Sequence, residues 1–524
     1  MLARCCGAAL IGLEAIPVAV EVDIAPGLPG LLMVGLPDAA VQESRERVRA
    51  AVRNSGLLMP LTRVIVNLAP ADLRKEGPAF DLPIALAVLA ASGQLDPAAL
   101  EGVWCAGELG LDGRLRPVRG ALALALAARR AGARALLLPA TNQAEAALVD
   151  ELPLWPASDL RQALLWLTDP QQATAQAHAP GSTAAIALEP EPSTGSPPAA
   201  ALDLADVRGQ IHGRRALEIA AAGGHHLLLV GPPGSGKTML AQRLPGLLPP
   251  LSRREMVELT LLYSVAGLLP AAAQGPGLIH RRPFRSPHHS CSSAALVGGG
   301  SLPRPGELAL AHHGVLFLDE LAEFRRDVLN QLRQPLEQGE LWLSRARQRL
   351  RYPCAVALVA ATNPCPCGWF GDPERPCSCG TGLRQRYWSR LSGPLLDRLD
   401  LQVVLRRLES RELVPRRGRP QTRADSSRTV AARVQAARRR MQARNPGGVT
   451  NGQLQGDALL QLAEISEPAL TLWQGAVQQR RLSARAAERL LRVARTIADL
   501  EGATSVEPRA VAEALTYRSF DQAL

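Results

Sequence analysis

The chain has 524 residues, is 47% hydrophobic and carries a formal charge of +11. That length supports two to four domains without disulfide staples, and no uninterrupted apolar run of roughly 18 residues is present to span a membrane. Arginine makes up 57 of the 59 basic residues, so the charge follows either from genome composition or from a polyanionic partner, with nucleic acid ahead of membrane.

The N-terminus, MLARCCGAALIGLEAIPVAVEVDI, is weakly signal-like, but its alternation into Val20, Val22 and Ile24 reads as a first strand. VIVNLAP (64–70) reads as another strand, and FDLPIALAVLAASG (80–93) as a buried helix. Its proline stands near the helix start, where proline is tolerated. Residues 120–142 read as helix, turn at Gly132 and strand. Residues 1–166 are therefore expected to form a mixed α/β domain. Residues 167–200 are dominated by Pro, Ala, Thr and Ser and read as a flexible linker.

From residue 201 to 408, helices alternate with short apolar runs, the pattern of a parallel sheet covered by helices. HLLLVGPPGSGKTML (226–240) is strand, glycine loop and helix, and the loop fits G-x-x-x-x-G-K-[ST]. Gly231, Gly234 and Gly236 let backbone N–H groups turn toward a β-phosphate, with Pro232, Pro233 and Ser235 completing the loop. The helix start adds its positive end. Lys237 is expected to reach the β- and γ-phosphates of ATP, and Thr238 to hold Mg²⁺. Lys237 and Lys75 are the only lysines in the chain.

GVLFLDE (314–320) ends in Asp319, placed to coordinate Mg²⁺ through water, and Glu320, suited to orient the attacking water. A solvated acidic turn is the plain alternative. Asn363 ends the next strand, AVALVAATN, where its amide could position the same water or simply form a turn. Loop lysine, Asp-Glu pair, strand-end asparagine and later arginines is the order of an AAA+ ATPase.

Directly after Asn363 come two C-x-C pairs, Cys365/Cys367 and Cys377/Cys379. Four thiolates at this spacing can converge on one ion, Zn²⁺ by default, with an iron–sulfur cluster as the alternative. Every ligand is then a protein thiolate, so a structural role is expected. Nine cysteines in all, an odd number, with close pairs and no clear signal, point to a reducing cytoplasm. Residues 405–440 hold twelve arginines; 409–428 read as a basic connecting segment and 429–524 as four or five helices.

These blocks together resemble the ComM/YifB family of magnesium-chelatase-like AAA+ proteins. The resemblance rests on LPDAAVQESRERVRAA, RALEIAAAGGHHLLLVGPPGSGKTML, FRSPHHS, NPCPCG, LSGPLLDRLDL and LSARAAERLLRVARTIADLEG, in order along nearly the whole chain. It implies that Lys237 is the Walker A lysine, Asp319 and Glu320 the Walker B pair, and Asn363 sensor 1. It also implies an arginine finger at Arg398, a sensor 2 at Arg485 and a helical lid over 429–524. A finger given to a neighbour's site implies a homo-oligomeric ring, of the hexameric kind usual in AAA+ relatives.

The resemblance further implies a helix-2 insert pointing into the ring's pore. Arg281, Arg282, Arg285, His288 and His289 are then candidates for phosphate-backbone contact, local packing being the alternative. Residues 74–142 resemble the Lon-protease-type domain of ribosomal S5 domain 2-like fold, with Ala79 and Leu122 where the protease carries serine and lysine. Without that dyad, peptide hydrolysis has no chemistry to run on. Arg45, Arg47, Arg49 and Arg53 read as a basic face or a solvated helix side. The implied function is an ATP-driven helicase acting on single-stranded and branched DNA, promoting branch migration in natural transformation, with a recombinase as a further partner. The alternative is a chelatase-like ATPase subunit that remodels a protein.

Overall fold

The computed structural model describes residues 2–177, 202–269, 278–300, 304–345, 348–391, 393–408 and 425–518. Two compact units emerge. One comprises Met1–Pro190, Ser252–His280 and Ser344–Arg351; the other comprises Glu191–Leu251, Arg281–Leu343 and Tyr352–Leu524.

The first unit is built on a seven-stranded sheet. Its strands are β1 (Ala3–Ile11), β2 (Glu14–Ala25), β3 (Gly30–Val34), β4 (Arg63–Ala69), β5 (Val103–Cys105), β6 (Ala135–Pro139) and β7 (Leu154–Ala157). They lie in the order β3-β4-β2-β1-β5-β6-β7. The strand through Val20 and Val22 is thus the second, not the first. The stretch with signal-like character is β1, paired antiparallel with β2 from Ala3↔Val22 to Ile11↔Glu14. Its alternating burial, with Ala3 and Cys5 inside and Arg4 outside, explains the apolar look of the N-terminus.

The Asp81–Ala91 helix is buried along its whole length. At its start, the Asp81 carboxylate accepts from Arg47 at 2.7 and 3.0 Å, from the Leu109 N–H at 3.1 Å and from the Ser44 hydroxyl. Arg47 is therefore turned inward onto a buried carboxylate rather than joining a basic face with Arg45, Arg49 and Arg53. Helical structure also continues into the segment read as linker, as Pro170–Ala177. The rest of that segment, 178–200, lies outside the described residues, as does 409–424 of the basic connector.

The Arg253–Ala266 helix belongs to this first unit although it follows the glycine loop in sequence. It starts in a capping box, with the Ser252 hydroxyl accepting from the Glu255 N–H and the Glu255 carboxylate accepting from the Ser252 N–H at 2.7 Å. Val257 and Leu261 pack against a cluster containing Trp104, Leu122, Leu124 and Leu138. Ser264 accepts from the Gly120 N–H at 3.3 Å through its carbonyl and donates its hydroxyl to Glu145. Ala79 packs against the same cluster, so the two positions lacking protease chemistry share one apolar environment. Burial raises the Glu145 carboxyl above its usual range, against the hydrogen bonds from Ser264, the Leu122 N–H and Asn142.

The second unit holds an all-parallel five-stranded sheet. Its strands are β8 (Leu227–Val230), β9 (Phe284–Arg285), β10 (Val315–Leu318), β11 (Ala357–Thr362) and β12 (Leu401–Val404). Their order is β9-β10-β11-β8-β12. The residues of β8 and β10 are fully buried, as continuous apolar runs in a sheet covered on both faces should be. Among the described C-terminal residues, five α-helices follow: Ser427–Arg444, Gly456–Leu462, Glu467–Gln479, Ala484–Glu501 and Pro508–Thr516. Val434, Met441, Leu490 and Ile497 from these helices join Leu227, Phe317 and Val359 of the sheet in one core. Among the described residues, no helix is long and apolar enough to cross a membrane.

Candidate active site

Strand β8 ends in register with β11 and β12, Val230 opposite Thr362 and Val404. The chain then turns into the glycine loop at the carboxyl edge of the sheet, where ligands of parallel α/β sheets bind. Gly234 and Gly236 adopt φ of +77° and +88°, conformations that favour glycine. A Cβ at either position would meet nothing within 4 Å, so the loop's glycines face open space. Ser235 is buried, and its hydroxyl has no hydrogen-bond partner among the described residues. An open glycine cradle, an orphaned hydroxyl and a helix start at Lys237 fit a phosphate group.

The back of the loop is fixed by groups the sequence did not single out. Gln210 donates through its amide to the Ser235 carbonyl at 3.0 Å and to the Arg406 carbonyl at 2.7 Å. At Gly231, a Cβ would stand 2.7 Å from the Leu405 carbonyl oxygen, so only glycine fits.

Lys237 donates to the carbonyls of Gly231 (2.6 Å) and Pro232 (3.0 Å) and to the Asn363 side-chain oxygen (3.1 Å). Burial lowers its ammonium pKa, opposed by the charges of Asp319 and Glu320. The Thr238 hydroxyl donates to Asp319 at 2.9 Å. Hydroxyl and carboxylate are thus the oxygen pair that suits Mg²⁺. Glu320 follows in a left-handed conformation, φ +52°, with its N–H bound to Asp319 at 2.9 Å. The structure therefore brings Lys237, Thr238, Asp319, Glu320 and Asn363 to one sheet edge.

The pore-loop candidates divide. Arg282 donates to the Pro249 and His313 carbonyls at 2.6 Å each, and Arg285 forms a two-pronged pair with Glu307, both bonds 2.6 Å. These two arginines pack locally, as the alternative reading had it. His289 lies at ion-pair distance from Glu320, 3.1 Å, beside the edge of the Phe324 ring. Sequence reasoning grouped His289 with nucleic-acid contacts and missed its place beside Glu320; nothing in the local pattern marks it. Residues 301–303 of the insertion lie outside the described residues.

Arg398 pairs with Glu337. Burial lowers its guanidinium pKa, and the nearby charges of Arg333 and Arg485 act in the same direction. Arg485 is exposed on the first turn of the Ala484–Glu501 helix, whose Ser483 cap accepts from the Ala486 N–H. Further along that helix, a buried polar network ties the C-terminal helices to the sheet. His225 bonds Asp400 at 3.1 Å through Nδ1 and Thr496 at 2.8 Å through Nε2. Asn451 donates to Thr496 (3.2 Å) and Asp499 (2.8 Å), and Asp499 receives Arg444 at 2.6 and 2.9 Å and Arg495 at 2.7 Å.

The four cysteines after Asn363 converge. Their Sγ atoms all lie within 4.8 Å of one another. Cys365 is 3.3 Å from Cys367 and 3.6 Å from Cys377, and Cys367 is 3.6 Å from Cys377. Four sulfurs on a tetrahedral Zn²⁺ stand about 3.8 Å apart, from Zn–S bonds of about 2.3 Å. The donor set fits such an ion. Backbone N–H groups, that of Trp369 first, pull the Cys367 thiol down to about 5, whereas burial pushes Cys365 up to about 12. Arg375 lies 4.5 Å over the Trp369 ring and Arg384 4.2 Å over Phe370, so both guanidiniums cover the turn's own aromatics.

A glycine loop after β8, an acidic pair after β10 on the other side of the central strand β11, and C-terminal helices sharing the core of this parallel sheet fit an AAA+-like fold. Its particular family comes from comparison. The family described as magnesium chelatase, subunit ChlI, matches residues 203–413; subunit ChlI of Mg-chelatase matches 20–142; and the ChlI C-terminal family matches 424–518. The chain is 44% identical over 522 residues to the uncharacterized protein YifB of Escherichia coli, covering 98% of this chain and 97% of that one. It is 41% identical over 516 residues to competence protein ComM of Haemophilus influenzae, covering 98% and 96%. A partial match of 27% identity over 142 residues links it to Lon protease of Bacillus thuringiensis, covering 26% and 17%. The chain belongs to the ComM/YifB family of magnesium-chelatase-like proteins.

Proposed function

We propose that this protein is an ATP-driven ring motor acting on branched DNA, one that promotes branch migration and so extends heteroduplex during natural transformation and recombination. The observation that carries this reading is the joined hydrolytic set, Lys237 on Asn363 and Thr238 on Asp319. ATP would lie with its phosphates in the 231–238 loop. Mg²⁺ would be held by Thr238 and Asp319, and Glu320 would orient the attacking water. Arg398, supplied to a neighbouring subunit, and Arg485 on the lid complete each site of a homo-oligomeric ring, hexameric as in AAA+ relatives. The charge of +11 and the competence name of the Haemophilus relative support DNA as the substrate and the cytoplasm as the place of work. Cys365, Cys367, Cys377 and Cys379 would hold a structural Zn²⁺. With Ala79 and Leu122 in place of a Ser–Lys dyad, the first domain serves assembly or DNA contact rather than proteolysis.

The family descriptions favour a second reading, a chelatase-like subunit that remodels a protein partner. The deciding experiment is strand exchange on a fluorescent four-way DNA junction, with linear duplex beside it. ATP should drive junction resolution, and a non-hydrolysable analogue should not. Rings that hydrolyse ATP yet leave the junction intact would overturn the motor and favour the protein remodeller.

A further inference from the structure

The seven residues 362–368 touch the phosphate loop at three points. The Thr362 carbonyl accepts from the Gly231 N–H at 3.2 Å. The Asn363 side chain accepts from Lys237 at 3.1 Å. Gly368, at φ +84°, lies so close to Pro233 that a Cβ there would stand 2.8 Å from its Cδ and 3.1 Å from its Cγ. Two of the four cysteines, Cys365 and Cys367, sit inside this same stretch.

The turn between the contacts is built around sulfur. The Gly368 N–H donates to the Cys365 carbonyl at 2.9 Å, and the Phe370 N–H reaches the Cys365 Sγ at 3.3 Å. Trp388 donates to the Pro364 carbonyl at 3.1 Å, and the Tyr387 hydroxyl meets Thr362 at 3.1 Å, so the stretch is also held from behind. Drawing Cys377 and Cys379 onto the same centre fixes the place of Gly368. A backbone fixed there lies against Pro233, with no room for a Cβ between them, in the middle of the loop that receives phosphate.

We propose that the four-cysteine turn is a positioning device for the phosphate loop, with Gly368 as its point of contact, so that metal occupancy sets nucleotide affinity. This rests on the metal and nucleotide readings given above. The bound ion supplies cross-linking alone: four thiolates held at one point. The chain's residues do the rest. With the turn fixed, Gly368 and Asn363 hold Pro233 and Lys237 from either side, and the loop meets a phosphate already shaped. Linkage then requires the reverse effect: bound nucleotide must tighten metal binding by the same factor.

The test uses the full chain, zinc-loaded or stripped with a chelator, and a fluorescent ADP with Mg²⁺ as probe. Loaded protein should bind the probe roughly ten-fold more tightly. Zinc affinity, read by competition with a chromophoric chelator, should rise by the same factor when ADP is saturating. Gly368→Ala is the second arm. It keeps all four thiolates but strains the turn at φ +84°, so it is compared at saturating zinc, where it should still lose nucleotide affinity and the mutual coupling. Hydrolysis would show the loss in KM at low ATP more than in kcat. Equal ADP affinity in loaded and stripped protein, or wild-type coupling in Gly368→Ala, overturns the proposal and leaves the metal and nucleotide readings standing. Failure to bind zinc at all overturns the metal reading with it, and failure to bind ADP in either form overturns the nucleotide reading.

Discussion

Lys237→Ala should lower ATP hydrolysis by about two to three orders of magnitude, the loss seen when one preorganised donor to developing charge is removed. Lys237 is the only cation in the loop 231–238. Its ammonium already sits inside the loop, bound to two carbonyls and to Asn363, and burial has weakened its hold on its proton. A phosphate entering the cradle offers charged oxygens in place of neutral carbonyls, so the ammonium gains most as negative charge builds on the transferring group. The fold should change little, because these neutral hydrogen bonds contribute about 1 kcal/mol each and the carbonyls can turn to water. Lys237→Arg separates charge from shape. A planar guanidinium cannot enter a space sized for a point charge, so it should fail nearly as badly. Phosphate release and amide hydrogen exchange, measured together, check both. Hydrolysis near wild type in Lys237→Ala would place catalysis elsewhere in the chain.

The legible parts of this site are those whose chemistry needs neighbours in sequence. A phosphate cradle needs three glycines and a lysine within eight residues, and Gly231 to Thr238 carry them. The strand before Asp319 must be apolar because it is buried on both faces, and that too is written locally. Arg398 and Arg485 differ: the roles proposed for them need partners distant in sequence, amid 57 arginines, and only family resemblance points to them. Arg47 shows the same limit from the other side. Its partner Asp81 is 34 residues away, so a helix side that reads as basic is in part an internal ion pair. The Arg253–Ala266 helix is harder still. Its apolar face, with Val257 and Leu261, suits any sheet it meets, and no local signal says that it leaves the nucleotide unit for the first one. Nor could spacing show that Gly368 abuts Pro233, 135 residues earlier, although both are visible as turn formers.

Asp499→Ala should destabilise the lid by about 3–5 kcal/mol, the cost of leaving a buried charge without its partner. Asp499 is fully buried between the guanidiniums of Arg444 and Arg495, and Arg495 is itself almost wholly enclosed. Burial alone would raise the Asp499 carboxyl; the two arginines outweigh it and hold it below the usual range. A folded pKa below the unfolded one gives stability that is complete above the unfolded value and is lost as pH falls through the folded value. At neutral pH the variant therefore shows the whole loss. A chain of two units does not unfold in one step, so a single melting temperature is the wrong gauge. Hydrogen exchange resolves the regions instead. Amides of Ala484–Glu501 and Ser427–Arg444 should exchange about a hundred-fold faster or more, since each 1.4 kcal/mol is a factor of ten. Those of the Asp81–Ala91 helix, in the other unit, should keep their rate. The loosened helix carries Arg485 on its first turn and Thr496, linked through His225 to Asp400, two residues beyond Arg398. Hydrolysis should therefore fall with lid protection even though Lys237, Asp319 and Glu320 are untouched. Unchanged exchange in both lid helices would mean that Arg444 and Arg495 find other partners, and that the network does not hold the lid to the sheet.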